Sequence, residues 1–198
     1  TFIGTVSPAG GNLKEPVTES TKKAARCFYA LEQKRADQKR YPAVNPIDSY
    51  SKYLEYPEIQ EYLEKTIAPG WGEKVNKLKN LIRKGREAQE QINILGDDGV
   101  PMNYHELFWK SELIDFVILQ QDAFDAIDAL CPLDRQKYMV ELVLGICDRT
   151  FEFEDFEKCR DFFKEIINIL RQMNYSEFHG EQFKAFENKL NTLLSNGK

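Results

Sequence analysis

At 198 residues the chain has room for one generous domain, or for one domain and a piece of a second. Its net charge of −5 argues against nucleic acid as a main partner, because phosphate recognition wants a basic face. Hydrophobic residues at 42% and charged residues at 30% fit a water-exposed protein with a real core, and no stretch approaches the ~18–20 apolar residues of a membrane helix.

In chain order, the first feature is a short β-type run, Phe2-Ile3-Gly4-Thr5-Val6. It has neither the charged nor the apolar region of a signal peptide, and it reads as the middle of a strand in a longer chain. The turn-rich loop Ser7 to Asn12 comes next, and Thr18 to Thr21 then offer helix caps. Ala24, Cys27, Phe28 and Leu31 fall at i, i+3, i+4, i+7 and predict a helix ending in the charged run Lys34 to Arg40. A second proline-bearing loop runs from Tyr41 to Asp48.

From Pro57 onward the periodicity is helical. Val75, Leu78, Leu81, Ile82, Gly85, Ala88 and Ile92 share one face of a long helix, stopped by Leu95-Gly96-Asp97-Asp98-Gly99. Leu107, Phe108, Leu113, Phe116 and Val117 mark a second helix that ends near Phe124. Two more are predicted over about 133–148 and 153–173, the latter with a stripe of Phe156, Phe162, Phe163, Ile166, Ile167 and Leu170. Phe183, Phe186, Leu190, Leu193 and Leu194 mark a terminal one. Helices joined by short loops predict a bundle, so the organisation reads as residues 1–56 of mixed character followed by a helical domain over 57–198.

Much catalytic chemistry has no counterpart in these residues. A phosphate-binding loop needs G-x-x-x-x-G-K-S/T, and the one Gly-Lys pair is the terminal Gly197-Lys198. There is no G-x-G-x-x-G, G-x-S-x-G or H-E-x-x-H. Cys27, Cys131, Cys147 and Cys159 lie far apart, with two histidines in the chain, which reads as reduced thiols with no structural zinc and no disulfide framework. Carboxylates such as Glu152, Glu154, Asp155 and Glu157 read as a solvated helical face.

Two aromatics stand at the ends of elements. Tyr41 precedes Pro42 in a loop, and Phe124 lies in Gln120-Gln121-Asp122-Ala123-Phe124-Asp125, where a helix gives out. Taken alone, each reads as a core or staple aromatic or as a ring free to stack on a purine, worth ~1–3 kcal/mol by analogy with base stacking.

Four separated segments resemble one family in one order. Ser7-Pro8-Ala9-Gly10-Gly11-Asn12 with Glu15-Pro16-Val17-Thr18 resembles the S-P-x-G-G-D-x-x-E-P-V of V-type and archaeal-type ATPase A subunits. Phe28-Tyr29-Ala30-Leu31-Glu32 resembles their F-W-A-L-D. Lys39-Arg40-Tyr41-Pro42-Ala43-Val44-Asn45 falls at K-R-H-F-P-x-I-N, and Gln120 to Asp125 at Q-Q-N-A-F-D. Three positions depart from the pattern: Asn12 replaces an aspartate, Pro46 stands at a frequent tryptophan, and Leu130 replaces a frequent aromatic. With Pro46, the segment from Tyr41 approaches the Y-P-A-V-D-P of F-type β subunits, which keeps an F-type β or a non-catalytic B-type relative as an alternative, beside a stand-alone helical interaction domain.

The resemblance implies a mainly α fold, a C-terminal helical bundle preceded by the last strand and helix pieces of an α/β P-loop nucleotide-binding domain. It implies an enzyme that couples ATP hydrolysis or synthesis to proton or sodium transport, with ATP/ADP and Mg2+ as its nucleotide and metal. The P-loop and the water-orienting carboxylate would lie before Thr1, so the 198 residues alone are expected to be inactive and to hold no catalytic residue. Tyr41 and Phe124 are implied as adenine-pocket residues. The acidic turn with Asp97 and Asp98 is implied to face a rotating central stalk, against the alternative of a solvated helix–helix loop. Implied partners are B subunits in an alternating hexameric ring, central-stalk subunits and, indirectly, a membrane sector, with the complex peripheral at the cytoplasmic face.

Overall fold

A computed structural model describes residues 2–196. The chain divides into two compact units, Thr1–Leu63 and Glu64–Lys198. Among the described residues no helix is long and apolar enough to cross a membrane.

The first unit is built from short pieces. A 3-10 turn at Ala9–Gly11 precedes α1 (Pro16–Ala24), which Pro16 starts with its preset φ. The Glu15 side chain accepts a hydrogen bond from the buried Thr18 hydroxyl at 3.0 Å, and Lys22 and Lys23 occupy the last turn, where positive charge suits the helix dipole. β1 (Cys27–Phe28) is followed by α2 (Gln33–Asp37) and β2 (Tyr50–Ser51). The strands pair antiparallel, Cys27 with Ser51 and Phe28 with Tyr50. The Tyr50 hydroxyl donates to Lys22 O at 2.6 Å, occupying one of the carbonyls that the end of α1 leaves open. α3 (Pro57–Thr66) spans the division between the units.

Two sequence expectations fail here. Phe2–Val6 forms no strand; it carries no regular secondary structure and has no ladder partners among the described residues. The helix expected through Ala24–Leu31 stops at Ala24. Beyond it the chain alternates with period two: Ala30 is 2% exposed, whereas Tyr29 and Leu31 are 70% and 75% exposed. The apolar spacing fitted both periods, and pairing with β2 together with an isolated bridge from Leu31 to Val44 decided for extended chain.

The second unit is the predicted helical bundle. α4 (Trp71–Leu95) ends at Gly96, whose φ of +80° turns the chain out of the helix. α5 (Met102–Ile114) continues into a π-helical turn at Asp115–Leu119, so helical structure stops five residues short of Phe124. α6 (Leu133–Cys147), α7 (Phe156–Asn174) and α8 (Glu181–Asn196) complete it. α5 packs on α4 and on α7, α8 lies on α7, and α6 touches α4, α5 and the π turn.

The core draws on every one of the helices from α5 to α8. Leu113 and Ile114 of α5, Val143 and Ile146 of α6, Phe163, Ile166 and Leu170 of α7, and Phe183 and Leu190 of α8 are sealed from water. Each such side chain stabilises the fold by roughly 1.5–3 kcal/mol relative to exposure. Phe151 stands against Phe162 and Phe163 with ring centroids 5.1 and 5.7 Å away, edge to face. Asp155 caps α7, its carboxylate accepting from Lys158 N–H at 2.7 Å, while Glu152, Glu154 and Glu157 remain exposed. Lys110 is buried and satisfied: its ammonium donates to Arg149 O at 2.9 Å and pairs with Glu106 at 2.7 Å.

Gly85 sets the spacing of α4 and α5. A Cβ there would stand 2.1 Å from Ser111 Cβ and 3.1 Å from Leu107 O. Alanine gains roughly 1 kcal/mol of helix propensity over glycine, but the overlap forces two packed helices apart. Gly85→Ala is expected to destabilise the chain by roughly 1–3 kcal/mol in a denaturant melt. A variant as stable as the parent would show that this crossing has slack.

Candidate functional site

Tyr41 lies at the tip of an excursion in the first unit. The chain leaves an isolated bridge at Leu31, runs through α2 and returns to it at Val44. The base of the excursion is closed by Glu32 N–H to Ala43 O at 2.9 Å and Asn45 N–H to Ala30 O at 2.7 Å. Asn45, which is buried, also organises the turn after it: its Oδ1 accepts from the N–H groups of Ile47 at 2.8 Å and Asp48 at 3.1 Å, and its amide donates to Asp48 Oδ2 at 2.9 Å. This is the local side-chain turn chemistry for which asparagine is suited. The Tyr41–Pro42 peptide is cis, and the Tyr41 hydroxyl reaches Ala36 O at 3.5 Å. The side chain is 54% exposed, so it is no core residue.

Phe124 is fully exposed, at 101% of its reference area, and is held up by three aspartates spaced three residues apart. Asp122 Oδ1 accepts from Phe124 N–H at 2.9 Å. Asp125 Oδ1 accepts from Ile127 N–H at 2.9 Å and Asp128 N–H at 2.8 Å. Asp128, buried, accepts from Asp122 N–H at 2.6 Å and so closes the loop on itself. Gln121 adds its amide to Asp128 O at 2.8 Å. An apolar ring standing in water gains nothing for the fold, so the backbone and not the ring is held by these bonds.

Beneath this loop sits Arg135, 2% exposed at the start of α6. Its guanidinium donates to Ile127 O at 3.2 Å in the loop, to Met173 O at 3.3 Å and to Asn174 O, the last carbonyls of α7. The Asn174 amide in turn donates to Val117 O at 2.8 Å in the π turn. Burial pushes the Asp128 carboxyl above its ordinary range, opposed by the Asp122 N–H and by the Arg135 charge. Arg135, Asp128 and Asn174 are not among the residues singled out from the sequence. The D-x-x-D-x-x-D spacing of Asp122, Asp125 and Asp128 is the one legible signal of a turn-rich knot.

The acidic turn takes a different form. Asp97 and Asp98 lie exposed in a 3-10 turn, Asp97–Gly99, between α4 and α5. His105, buried in α5, pins it: Nε2 lies 2.9 Å from Asp97 O, and a carbonyl can only accept, so Nε2 carries the proton. The imidazole stacks on Phe156 with centroids 5.4 Å apart. Ile94 and Leu95 are exposed beside the turn. α5 therefore carries the acidic turn at its N-terminal end and leads to the Phe124 loop at the other. Tyr41 belongs to the first unit and Phe124 to the second.

The comparisons with known proteins divide along the same chain. Residues 1–51 match the model of the ATP synthase alpha/beta family nucleotide-binding domain, and residues 60–168 match that of the C-terminal domain of V and A type ATP synthase. The V-type ATP synthase alpha chain of Chlamydia abortus is 41% identical over 184 residues, covering 93% of this chain and 31% of the relative. That of Chlamydia pneumoniae is 38% identical over 194 residues, covering 98% and 32%. The chain thus spans about a third of the length of the curated relatives it matches. A solved ATP synthase subunit, NeqB from Nanoarcheaum equitans, superposes with a TM-score of 0.54 over 71% of this chain and 33% of that one, at 17% identity, a likeness of fold.

The loop and the core predict different thiol chemistry. Burial pushes Cys147 and Cys159 up to about 12, while Cys131, at the end of the Phe124 loop, is exposed although its thiol is also raised by partial burial. At pH 8 a thiol of the buried kind is roughly one part in ten thousand thiolate. Native alkylation followed by peptide mass spectrometry is expected to label Cys131 and to spare Cys147 and Cys159 until denaturant is added. Equal labelling of all three in the native chain would contradict the burial of α6 and α7 in the bundle.

Proposed function

Because the chain belongs to the V- and A-type ATP synthase family, which its match over residues 60–168 shows, we propose that it is the adenine-binding and rotor-facing end of the catalytic A subunit. The observation that carries this reading is Phe124: a wholly exposed ring on a loop whose backbone is tied by three aspartates and a buried arginine. Tyr41, half exposed at the tip of its own excursion, is likewise assigned as an adenine contact. Two exposed aromatic rings fit a purine and do not fit phosphates. The 198 residues contain no G-x-x-x-x-G-K-S/T, and the described residues hold no cluster of His, Cys, Asp and Glu able to bind a metal ion. The reading therefore assigns the phosphates, Mg2+ and bond cleavage to other parts of the subunit, where charge neutralisation and positioning do the work. The 198 residues alone are expected to turn over no ATP.

In the complete assembly the subunit would alternate with B subunits in a ring that closes by rotation, at the cytoplasmic face of a membrane sector that moves protons or sodium ions. Asp97 and Asp98 would face the central stalk, with Ile94 and Leu95 adding apolar surface beside them. An F-type β or B-type relative remains less favoured, because the match over 60–168 is to the V and A type and the curated relatives are alpha chains.

Both assignments are open to direct measurement. In the full-length subunit, Tyr41→Ala and Phe124→Ala are each expected to weaken fluorescent ATP-analogue binding roughly 5- to 150-fold, the range of a lost base–aromatic stack. Unchanged affinity in both variants would remove the adenine assignment. Replacing Asp97 and Asp98 together by lysine in the assembled complex is expected to lower ATP-driven ion transport at least twofold, with the subunit still incorporated. Intact assembly with intact coupling would show that the turn is a solvated loop and nothing more.

A further inference from the structure

The exposed ring of Phe124 makes no contribution to holding itself in place, so something else must set its position. Within the loop, the aspartate bonds fix the local turns. Arg135 joins those turns to the bundle, donating to the loop through Ile127 O and to α7 through Met173 O and Asn174 O. Gln121 gives no such anchor, because both carbonyls it reaches, those of Asp128 and Ala129, lie inside the loop. The buried guanidinium is thus a three-way joint between the loop, the start of α6 and the end of α7, and the Asn174 amide extends it to the π turn at Val117 O. A planar cation with five donors can satisfy carbonyls from separate elements at once, and lysine cannot reproduce that fork.

We infer that Arg135 is a positioning residue for nucleotide binding: it holds the Phe124 loop on the C-terminal turn of α7, so that the aromatic is presented in one orientation without touching the nucleotide itself. This rests on the adenine reading of Phe124. A ring on a released loop would have to be ordered anew in each binding event, and that entropy is taken from affinity. The joint also makes the end of α7 part of the site's support, although α7 contributes no side chain to the proposed pocket.

The test is a double-mutant cycle in the full-length subunit, read with a fluorescent ATP analogue, together with hydrogen exchange of the loop peptides. Arg135→Met is expected to weaken binding roughly tenfold, within the range set by a base stack. It is also expected to raise amide exchange over residues 121–130. Added to Phe124→Ala, it should cost little further affinity, because its effect passes through that ring. Arg135→Lys, the variant to use should the methionine protein fail to fold, is expected to lie between the parent and Arg135→Met. Independent losses that add in the double mutant, or unchanged exchange over 121–130, would overturn the inference. If Phe124→Ala leaves affinity unchanged, the adenine reading of Phe124 fails and takes the role of Arg135 in nucleotide binding with it. Exchange in Arg135→Met would still report separately whether the joint exists.

Discussion

The second unit turns on one buried cation. The guanidinium of Arg135 is shut away from water, an arrangement that is costly unless its donors are met. The two terminal nitrogens are met by main-chain carbonyls of two other segments, while Nε is buried without a hydrogen-bond partner. The last carbonyls of a helix are orphaned by construction, and the end of α7 lies where a guanidinium can use them. One residue thereby resolves two problems of the fold, the open end of α7 and the unanchored loop after the π turn.

The two proposed aromatics are presented by the same device on unrelated scaffolds. Asn45 near Tyr41 and Asp122, Asp125 and Asp128 around Phe124 are short polar side chains that bond main-chain amides two to six residues away. Such bonds shape a loop without needing a core beneath it. They leave the aromatic free to face outward, where a ring serves recognition better than stability. In each case the loop is ordered by residues other than the one it displays.

Legibility followed the range of the interactions. α4, α7 and α8 were readable because a long apolar stripe of period 3.6 has one good solution, and Phe163, Ile166 and Leu170 fall on the core face as their spacing requires. The stretch from Ala24 to Leu31 misled because its apolar residues fit both periods, and the choice was made by β2, more than twenty residues away. The π turn was not legible, since it depends on the packing of Val117 and on a bond from Asn174. Tyr41 and Phe124 were singled out through motif resemblance; their spacing alone left a core role open, which their exposure excludes. Arg135 left no local trace, because every acceptor it uses is distant or main-chain, and a carbonyl has no letter in the sequence.

Gly85 has a mechanical consequence. Where a missing Cβ lets Ser111 and the Leu107 carbonyl come up against a helix, the two rods are in hard contact and cannot slide past one another without riding over a side chain. Close-packed interiors are nearly incompressible. α4 and α5 therefore behave as a single stiff beam, tipped by the His105-pinned turn, with its far end rooted in the π turn and its joint to α7. A push on the tip would be delivered to the root as displacement and would not be absorbed as bending along the way.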